Sequence, residues 1–214
     1  MLEINLTAMT IRSFTFGCFQ TNTYVLSSDS RILLIDPACA AIKEQQELEQ
    51  YISSLNPQPS TLNIIATHGH LDHLWGAAWA AEKWHTPVLV PTGDIPMAER
   101  MQEQYDLFGI PATAQPFPIE PLSSLNPKRS TLNIISTPGH TPGSVCLYWA
   151  EEHLLISGDT LFCCGYGRTD LPGGDAAALF TSLNQLLQLP AETQVYPGHG
   201  EPTTIGAERQ FYRL

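Results

Sequence analysis

The sequence predicts an α/β fold, a sandwich of strand-and-helix layers, and three observations carry that prediction. Strand-like and helix-like segments are mixed in each half of the 214-residue chain, a pattern that sets sheets and helices in packed layers. Residues 62–66 form a short, nearly continuous apolar run, as a strand covered on both faces must. Third, Ser60-Thr-Leu-Asn-Ile-Ile-Ala-Thr-His-Gly-His70 and Ser130-Thr-Leu-Asn-Ile-Ile-Ser-Thr-Pro-Gly-His140 agree at nine of eleven positions. Any buried strand ending in a tight glycine turn shares part of this pattern. A match this long points further, to an internal duplication of two strand-loop units that each deliver a histidine to one place.

Each element has its own warrant. Runs rich in β-branched and aromatic residues predict strands at 11–16, 23–27 and 32–35, with a turn signal at Ser27-Ser28-Asp29-Ser30 and a stop at Asp36-Pro37. Good helix formers predict a helix over 41–55, ended before Asn56-Pro57. After the strand at 62–66 come a helix at 74–84, a strand at 88–90 and a helix at 94–105. The proline-rich stretch 109–127 receives no assignment, and 91–127 is expected to be a variable region covering a site. In the second half, 132–135, 145–149 and 154–156 are predicted strands, 175–187 a helix and 194–196 a last strand.

Composition narrows the function classes. At about 150 residues per domain, residues 1–214 are expected to form one domain, large enough to hold a core without staples. Ten Lys and Arg stand against 21 Asp and Glu, a net charge of −11. Little cationic charge is available to release counterions from phosphates, so neither nucleic acid nor an anionic membrane is an expected partner. The start of the chain carries no basic leader pattern, and no apolar run approaches the ~20 residues of a membrane span; a cytoplasmic location is expected. The five cysteines (Cys18, Cys39, Cys146, Cys163 and Cys164) include no C-x-x-C pair, so they form neither a disulfide framework nor a thiolate zinc ribbon. The adjacent Cys163 and Cys164 are expected to be small buried residues.

The chemistry concentrates in His68-Gly69-His70-Leu71-Asp72-His73, three histidines and an aspartate within six residues of a chain holding seven histidines. The segment follows a strand and precedes a helix, in a loop, where functional groups gather. Histidines at i and i+2 on extended backbone project to one side and suit a single metal. Asp72 and His73 turn away at the helix start and suit a second ion. Gly69 is expected to let the loop bend tightly. His140 and His199 also occupy Gly/Pro-flanked loops after predicted strands. His85 and His153 have no such setting and are expected to be ordinary.

With these residues in view, the chain resembles the metallo-β-lactamase superfamily. The signature Thr-His-x-His-x-Asp-His stands at Thr67–His73, followed in order by Thr137-Pro-Gly-His140-Thr-Pro-Gly-Ser144, Ser157-Gly-Asp159-Thr-Leu-Phe162 and Pro197-Gly-His199-Gly200. Within it, Gly158-Asp-Thr-Leu-Phe and Gly165-x-Gly-Arg168-x-Asp170 are most similar to the glyoxalase II, or hydroxyacylglutathione hydrolase, branch in a short single-domain form. The resemblance implies a four-layer αββα sandwich with the site at one edge of two sheets. It implies that His68, His70 and His140 hold one metal, that Asp72, His73 and His199 hold a second, and that Asp159 bridges them. Asp72 is also the implied catalytic residue. Imidazoles and carboxylates without thiolate suit two divalent ions, zinc first and iron or manganese as alternatives.

The implied reaction is hydrolysis of a small-molecule thioester such as S-D-lactoylglutathione, by a hydroxide bridging the two ions. A thiolate with a parent pKa of about 8.5 leaves with little protonation. Lactamases of the superfamily commonly offer a cysteine to the second metal, and Asp159 stands at the bridging position here, which argues against a lactam substrate. Full-length glyoxalase II enzymes carry a C-terminal helical glutathione-binding domain; with few residues after His199, this chain is expected to lack it. Arg168 and Tyr166 are then the candidates for substrate binding, with an Arg168–Asp170 ion pair as the alternative role for Arg168. Phe108, Ile110 and Phe117 are candidates for an apolar pocket wall or for plain core packing, and Asp36 for orienting a ligand histidine. A persulfide dioxygenase, with one iron and a similar Gly-Arg-Thr-Asp segment, is the alternative reaction. The oligomeric expectation is a monomer or a homodimer.

Overall fold

Side-chain alternation separates the layers. In β4 (Arg31–Ile35), Ile32 and Leu34 face one apolar cluster while Leu33 and Ile35 face another, because successive Cβ atoms point to opposite faces of a strand. A computed structural model describes residues 2–5, 9–28, 31–55, 62–125 and 132–212. Asp29, Ser30, Asn56, Pro57, Ser60, Thr61, Ser130 and Thr131, used above for a turn, a helix stop and the starts of the repeated segments, lie outside the described residues, as do 126–127.

The first sheet runs β1 (Leu2–Asn5), β2 (Thr10–Phe16), β3 (Thr21–Ser28), β4, β5 (Leu62–Ile65), β6 (Val88–Val90) and β7 (Ile119–Pro121), each beside the next. Its first four strands are antiparallel and its last four parallel. The second sheet has the order β14 (Thr203–Thr204), β13 (Gln194–Pro197), β10 (Leu154–Gly158), β9 (Val145–Trp149), β8 (Leu132–Ser136). A small hairpin, β11 (Leu161–Phe162) with β12 (Gly165–Tyr166), follows β10.

Three apolar clusters make the four layers. On the outer face of the first sheet, Leu34, Ile64 and Val88 pack with Leu48 and Ile52 of α1 (Ile42–Ser54) and Ala77 and Ala80 of α3 (Ala77–Trp84). Between the sheets, Leu33, Ile35 and Ile65 meet Leu147, Trp149 and Ile156. On the far side of the second sheet, Tyr148, Leu155 and Val195 meet Leu179 and Leu183 of α6 (Ala176–Leu186) and Ile205 of α7 (Ile205–Tyr212). Asp175 starts α6, accepting hydrogen bonds from the amides of Ala177 and Ala178. The αββα sandwich expected from the sequence is the observed fold.

Two predicted helices are broken. The helix expected over 74–84 is α2 (Leu71–Leu74) and α3, with Gly76 between them donating its amide to the Pro37 carbonyl at 2.7 Å. The helix expected over 94–105 is a 3₁₀ turn at Thr92–Asp94, then α4 (Ile95–Glu99) and α5 (Met101–Leu107). At the second break the Met97 carbonyl accepts from the Arg100 amide and the Gln104 side chain. The unassigned stretch 109–127 supplies β7, and β1, the β11–β12 hairpin, β14 and α7 also lie beyond the elements predicted.

The topology selects one edge for the site. Because β4, β5 and β6 are parallel, their C-terminal ends share an edge, and β10 and β13 do the same in the second sheet. The sheets are tied together there. The Val145 amide donates to the Thr67 carbonyl at 3.0 Å, and the Asn22 amide to the Gly198 carbonyl at 2.7 Å.

Candidate metal centre

The loops leaving β4, β5, β8, β10 and β13 bring five histidines and three aspartates into one cluster. His68, His70 and His140 place one nitrogen each within 4.8 Å of one another, and so do the ligand atoms of Asp72, His73 and His199. His70 Nδ1 lies 3.2 Å from His68 Nε2 and 2.8 Å from His140 Nε2. In the second group, His199 Nε2 and His73 Nε2 lie 3.2 Å and 3.5 Å from Asp72 Oδ2. Asp159 stands between the groups. Its Oδ2 is 3.5 Å from His140 Nε2 and 3.4 Å from His199 Nε2, and its Oδ1 is 3.3 Å from His73 Nε2. All seven residues named from the sequence are thus brought together, and His68, His73 and Asp159 form a third group of ligand atoms within the same distance.

The outward-facing atoms decide what the inward ones can do. His140 Nδ1 donates to the Arg168 carbonyl at 2.7 Å. His199 Nδ1 faces the Phe19 carbonyl at 3.1 Å. His73 Nδ1 donates to Asp36 Oδ2 at 2.9 Å. His68 Nδ1 is 3.1 Å from Thr67 Oγ1, whose own proton goes to Asp36 Oδ2 at 2.7 Å. A neutral imidazole with one nitrogen donating offers a lone pair at the other. Four Nε2 lone pairs therefore point into a buried space already holding two carboxylates. His73 Nε2 and Asp159 Oδ1 are buried there without any hydrogen-bond partner. Buried polar atoms of native proteins are satisfied by a partner, and a set of lone pairs and anions is satisfied by cations. The residues present fit two divalent ions of the nitrogen- and oxygen-loving kind.

Charge within the cluster is divided unevenly. Burial keeps His68 well below the usual histidine range, with His73 adding repulsion. Burial and neighbouring His140 push His70 down to about 4. Burial acts the same way on His199, but hydrogen bonds to Asp159 and Asp72 outweigh it and raise it to about 10. Burial opposes ionisation of Asp72, yet the charge of His73 and the hydrogen bond to His199 pull it down to about 2. His68 and His70 are therefore ready to bind, while His73 and His199 must yield protons to do so.

Several positioning residues carry no sequence signal of their own. Asp94 is fully buried at the end of the turn after β6. Its Oδ2 accepts from the Gly69 amide at 2.9 Å and the Thr141 hydroxyl at 2.6 Å, and its Oδ1 from the Gly143 amide at 2.6 Å. One carboxylate thus clamps the two histidine loops together. Gln104 of α5 accepts from the Leu71 amide and donates to the Gly69 carbonyl, and the Thr21 hydroxyl donates to Asp72 Oδ2 at 2.8 Å. Asp36, singled out from the sequence, does orient a histidine, His73, and also receives the Thr67 amide at 2.7 Å.

Some expectations need revision. Cys163 and Cys164 are exposed, because they form the tip of the β11–β12 hairpin; the Cys164 amide donates to buried Glu208. Gly69 is needed for space: its φ is not positive, and a Cβ there would sit 3.0 Å from the Asp94 Cβ. The Arg168 guanidinium forms a two-point pair with Asp170 on the surface, and only its carbonyl reaches the cluster. Tyr166 is exposed and packs edge-on against Phe180. Neither side chain lines the pocket that opens onto His70; that pocket is formed by α4, α5 and the loops around Pro142 and Pro172. Phe108 belongs to its wall, whereas Ile110 and Phe117 pack against the outer core of the first sheet. His85 caps α3 and His153 turns between β9 and β10, both outside the cluster.

Known proteins are similar to this chain in sequence and fold. The family model of the metallo-beta-lactamase superfamily matches residues 16–199. A Bacillus subtilis protein named probable metallo-hydrolase YqgX is 38% identical over 203 residues, covering 92% of this chain and 93% of its own. Among solved structures, TTHA1623 in a di-iron-bound form is 35% identical with a TM-score of 0.81, covering 94% of this chain and 98% of that one. The B3 metallo-beta-lactamase BLEG-1 is 32% identical with a TM-score of 0.75, covering 94% and 96%. Among the described residues, no helix is long and apolar enough to cross a membrane.

Proposed function

The chain belongs to the metallo-beta-lactamase superfamily, and on that premise we propose that it is a binuclear metal-dependent hydrolase of acyl thioesters. Its substrates are those of a hydroxyacylglutathione hydrolase, an acyl group carried on a small polar thiol. The observation that carries the reading is the ring of inward lone pairs around Asp159, with His73 Nε2 and Asp159 Oδ1 buried and unpartnered. His68, His70 and His140 would hold one cation, Asp72, His73 and His199 the other, and Asp159 both. Zinc, iron and manganese all suit this donor set, and the di-iron form of TTHA1623 adds weight to iron.

Two bound divalent cations supply Lewis acidity and lower the pKa of water. The chain's own groups do the rest. Asp36, Thr67 and the carbonyls of Phe19 and Arg168 hold the imidazoles in the tautomer that offers Nε2. Asp72 is the catalytic carboxylate in this reading: the Thr21 hydroxyl donates to its Oδ2 and orients the group to take a proton from an attacking water. A thiolate leaves without a general acid at neutral pH, since its parent pKa is only about 8.5. An amine-type leaving group from a lactam would need a donor, which is why the thioester is favoured over the substrate in the name of BLEG-1.

The test is metal analysis together with a substrate panel. Protein loaded with zinc, iron or manganese is expected to bind two ions per chain and to release thiol from S-D-lactoylglutathione or a related thioester. Opening of a chromogenic β-lactam without thiol release would replace the thioester reading with a lactam one. Oxygen uptake on glutathione persulfide, with one iron per chain, would replace hydrolysis altogether.

A further inference from the structure

The pocket beside the first group of histidines has about 380 Å³ of room, with His70 at its floor. Its walls are apolar: Met97, Leu107 and Phe108 on one side, Pro142 and Leu171 on the other. Leu107 and Phe108 are 60% and 39% exposed, an exposed apolar pair that marks a binding surface when it lines a cleft. The polar side chains nearest the histidines are already engaged. Gln104 spends its amide on Gly69, Leu71 and Met97. Arg100 donates to the Pro96 carbonyl and lies 3.7 Å from Glu103, and His70 belongs to the cluster. Arg100 and Glu103 turn their charged ends to solvent, with side chains 62% and 70% exposed, so the wall open to an acyl group is the apolar one.

From this chemistry we infer that the acyl group of the substrate carries an apolar chain of medium length, longer than lactoyl. The inference rests on the thioester-hydrolase reading and narrows it: a polar thiol carrier stays outside, and the acyl chain runs from the carbonyl at His70 along Met97, Leu107 and Phe108. Each buried methylene then contributes about fourfold to binding.

The experiment uses the metal-loaded chain with acetyl, lactoyl, butanoyl and hexanoyl thioesters of glutathione. The expected result is a kcat/KM that rises about fourfold per added methylene from acetyl to hexanoyl, with lactoyl below butanoyl. Leu107→Asp, at an exposed position the fold tolerates, is expected to lower the hexanoyl-to-acetyl ratio at least tenfold. A binding arm needs no turnover: S-hexylglutathione is expected to bind at least tenfold more tightly than S-methylglutathione by calorimetry. A flat or falling series, lactoyl ahead of butanoyl, or a ratio unmoved by Leu107→Asp overturns the inference. If no thioester is hydrolysed, the hydrolase reading fails by itself. The alkyl pair then decides the pocket, equal binding refuting it and a hexyl preference sustaining it.

Discussion

Residues 62–70 and 132–140 are nearly the same peptide placed in two surroundings. The first forms β5, flanked by parallel neighbours on both sides in the seven-stranded sheet; the second forms β8, at the edge of the five-stranded sheet and paired with β9 among the described residues. Ile64 is fully buried, and its counterpart Ile134 is 41% exposed. Yet both loops end with a histidine, and His70 and His140 meet at 2.8 Å. What the two copies share is the turn and the histidine it delivers; what they do not share is the contribution of the strand to stability. The matched glycines differ too. Gly69 leaves room for Asp94, while Gly139 sits at φ +136 with the Leu179 backbone where a Cβ would be. Even the carboxylates divide: Asp36 after β4 backs a histidine from outside, whereas Asp159 after β10 stands inside the cluster.

The equivalence of the loops is most directly broken by removing either histidine. His70→Ala and His140→Ala are each expected to lower activity more than about 100-fold, at least the loss that removing a supporting partner causes. Both should reduce bound metal from two ions toward one by elemental analysis. A variant that keeps two ions and full activity would separate that loop from the site.

The strands should behave in the opposite way. Ile64→Ala is expected to cost about 2–5 kcal/mol of unfolding free energy, as large-to-small changes in a closed core do, read by denaturant titration. Asp94→Ala joins the copies in one measurement. It strips an acceptor from Gly69, Thr141 and Gly143 at once, and hydrogen bonds to a buried carboxylate are worth about 1.5–3 kcal/mol each. A stability loss of about 4 kcal/mol or more is expected, together with weaker metal binding. Normal metal affinity in a folded Asp94→Ala protein would show that the loops hold their positions without the clamp.

Asp36→Asn tests the first copy alone. Asn tolerates the left-handed φ of +52 at this position, so the change removes charge with little backbone strain. Metal affinity is expected to fall about 10–100-fold, the usual effect of removing a carboxylate behind a ligand histidine. Calorimetric titration with zinc that shows no change would leave Asp36 with no role in the site.

How much of this was legible beforehand follows from the same contrast. Five histidines and Asp72 stand in short motifs after apolar strands, so local pattern exposes them; Asp159 enters only through the family resemblance. The sandwich was legible because strand alternation and helix formers are local as well. Asp94 was not, because a lone aspartate in a Gly-Asp turn has no periodicity, and its three partners lie 25 to 49 residues away. The break at Gly76 depends on a long-range bond from its amide to the Pro37 carbonyl. At Arg100, good helix formers surround a local turn in which the Met97 carbonyl accepts from the Arg100 amide and the Gln104 side chain. The exposed Cys163-Cys164 tip hid inside a two-residue hairpin too short to leave a strand signal.

The smallest effect belongs to the edge strand, and it carries the sharpest information about what a repeated sequence means. Ile134→Ala removes the same atoms as Ile64→Ala from the same local sequence. Its side chain is already 41% in contact with solvent, so less apolar area leaves the interior and no closed cavity forms. The transfer term is then partial and the cavity term absent, and about 1 kcal/mol or less is expected, with activity and metal content unaltered. Equal losses from the two substitutions would mean that β8 is covered in solution and that the two surroundings are alike. A loss several times larger at Ile64 would show that the same strand sequence carries stability in one copy and little in the other, while both copies deliver a histidine to the cluster.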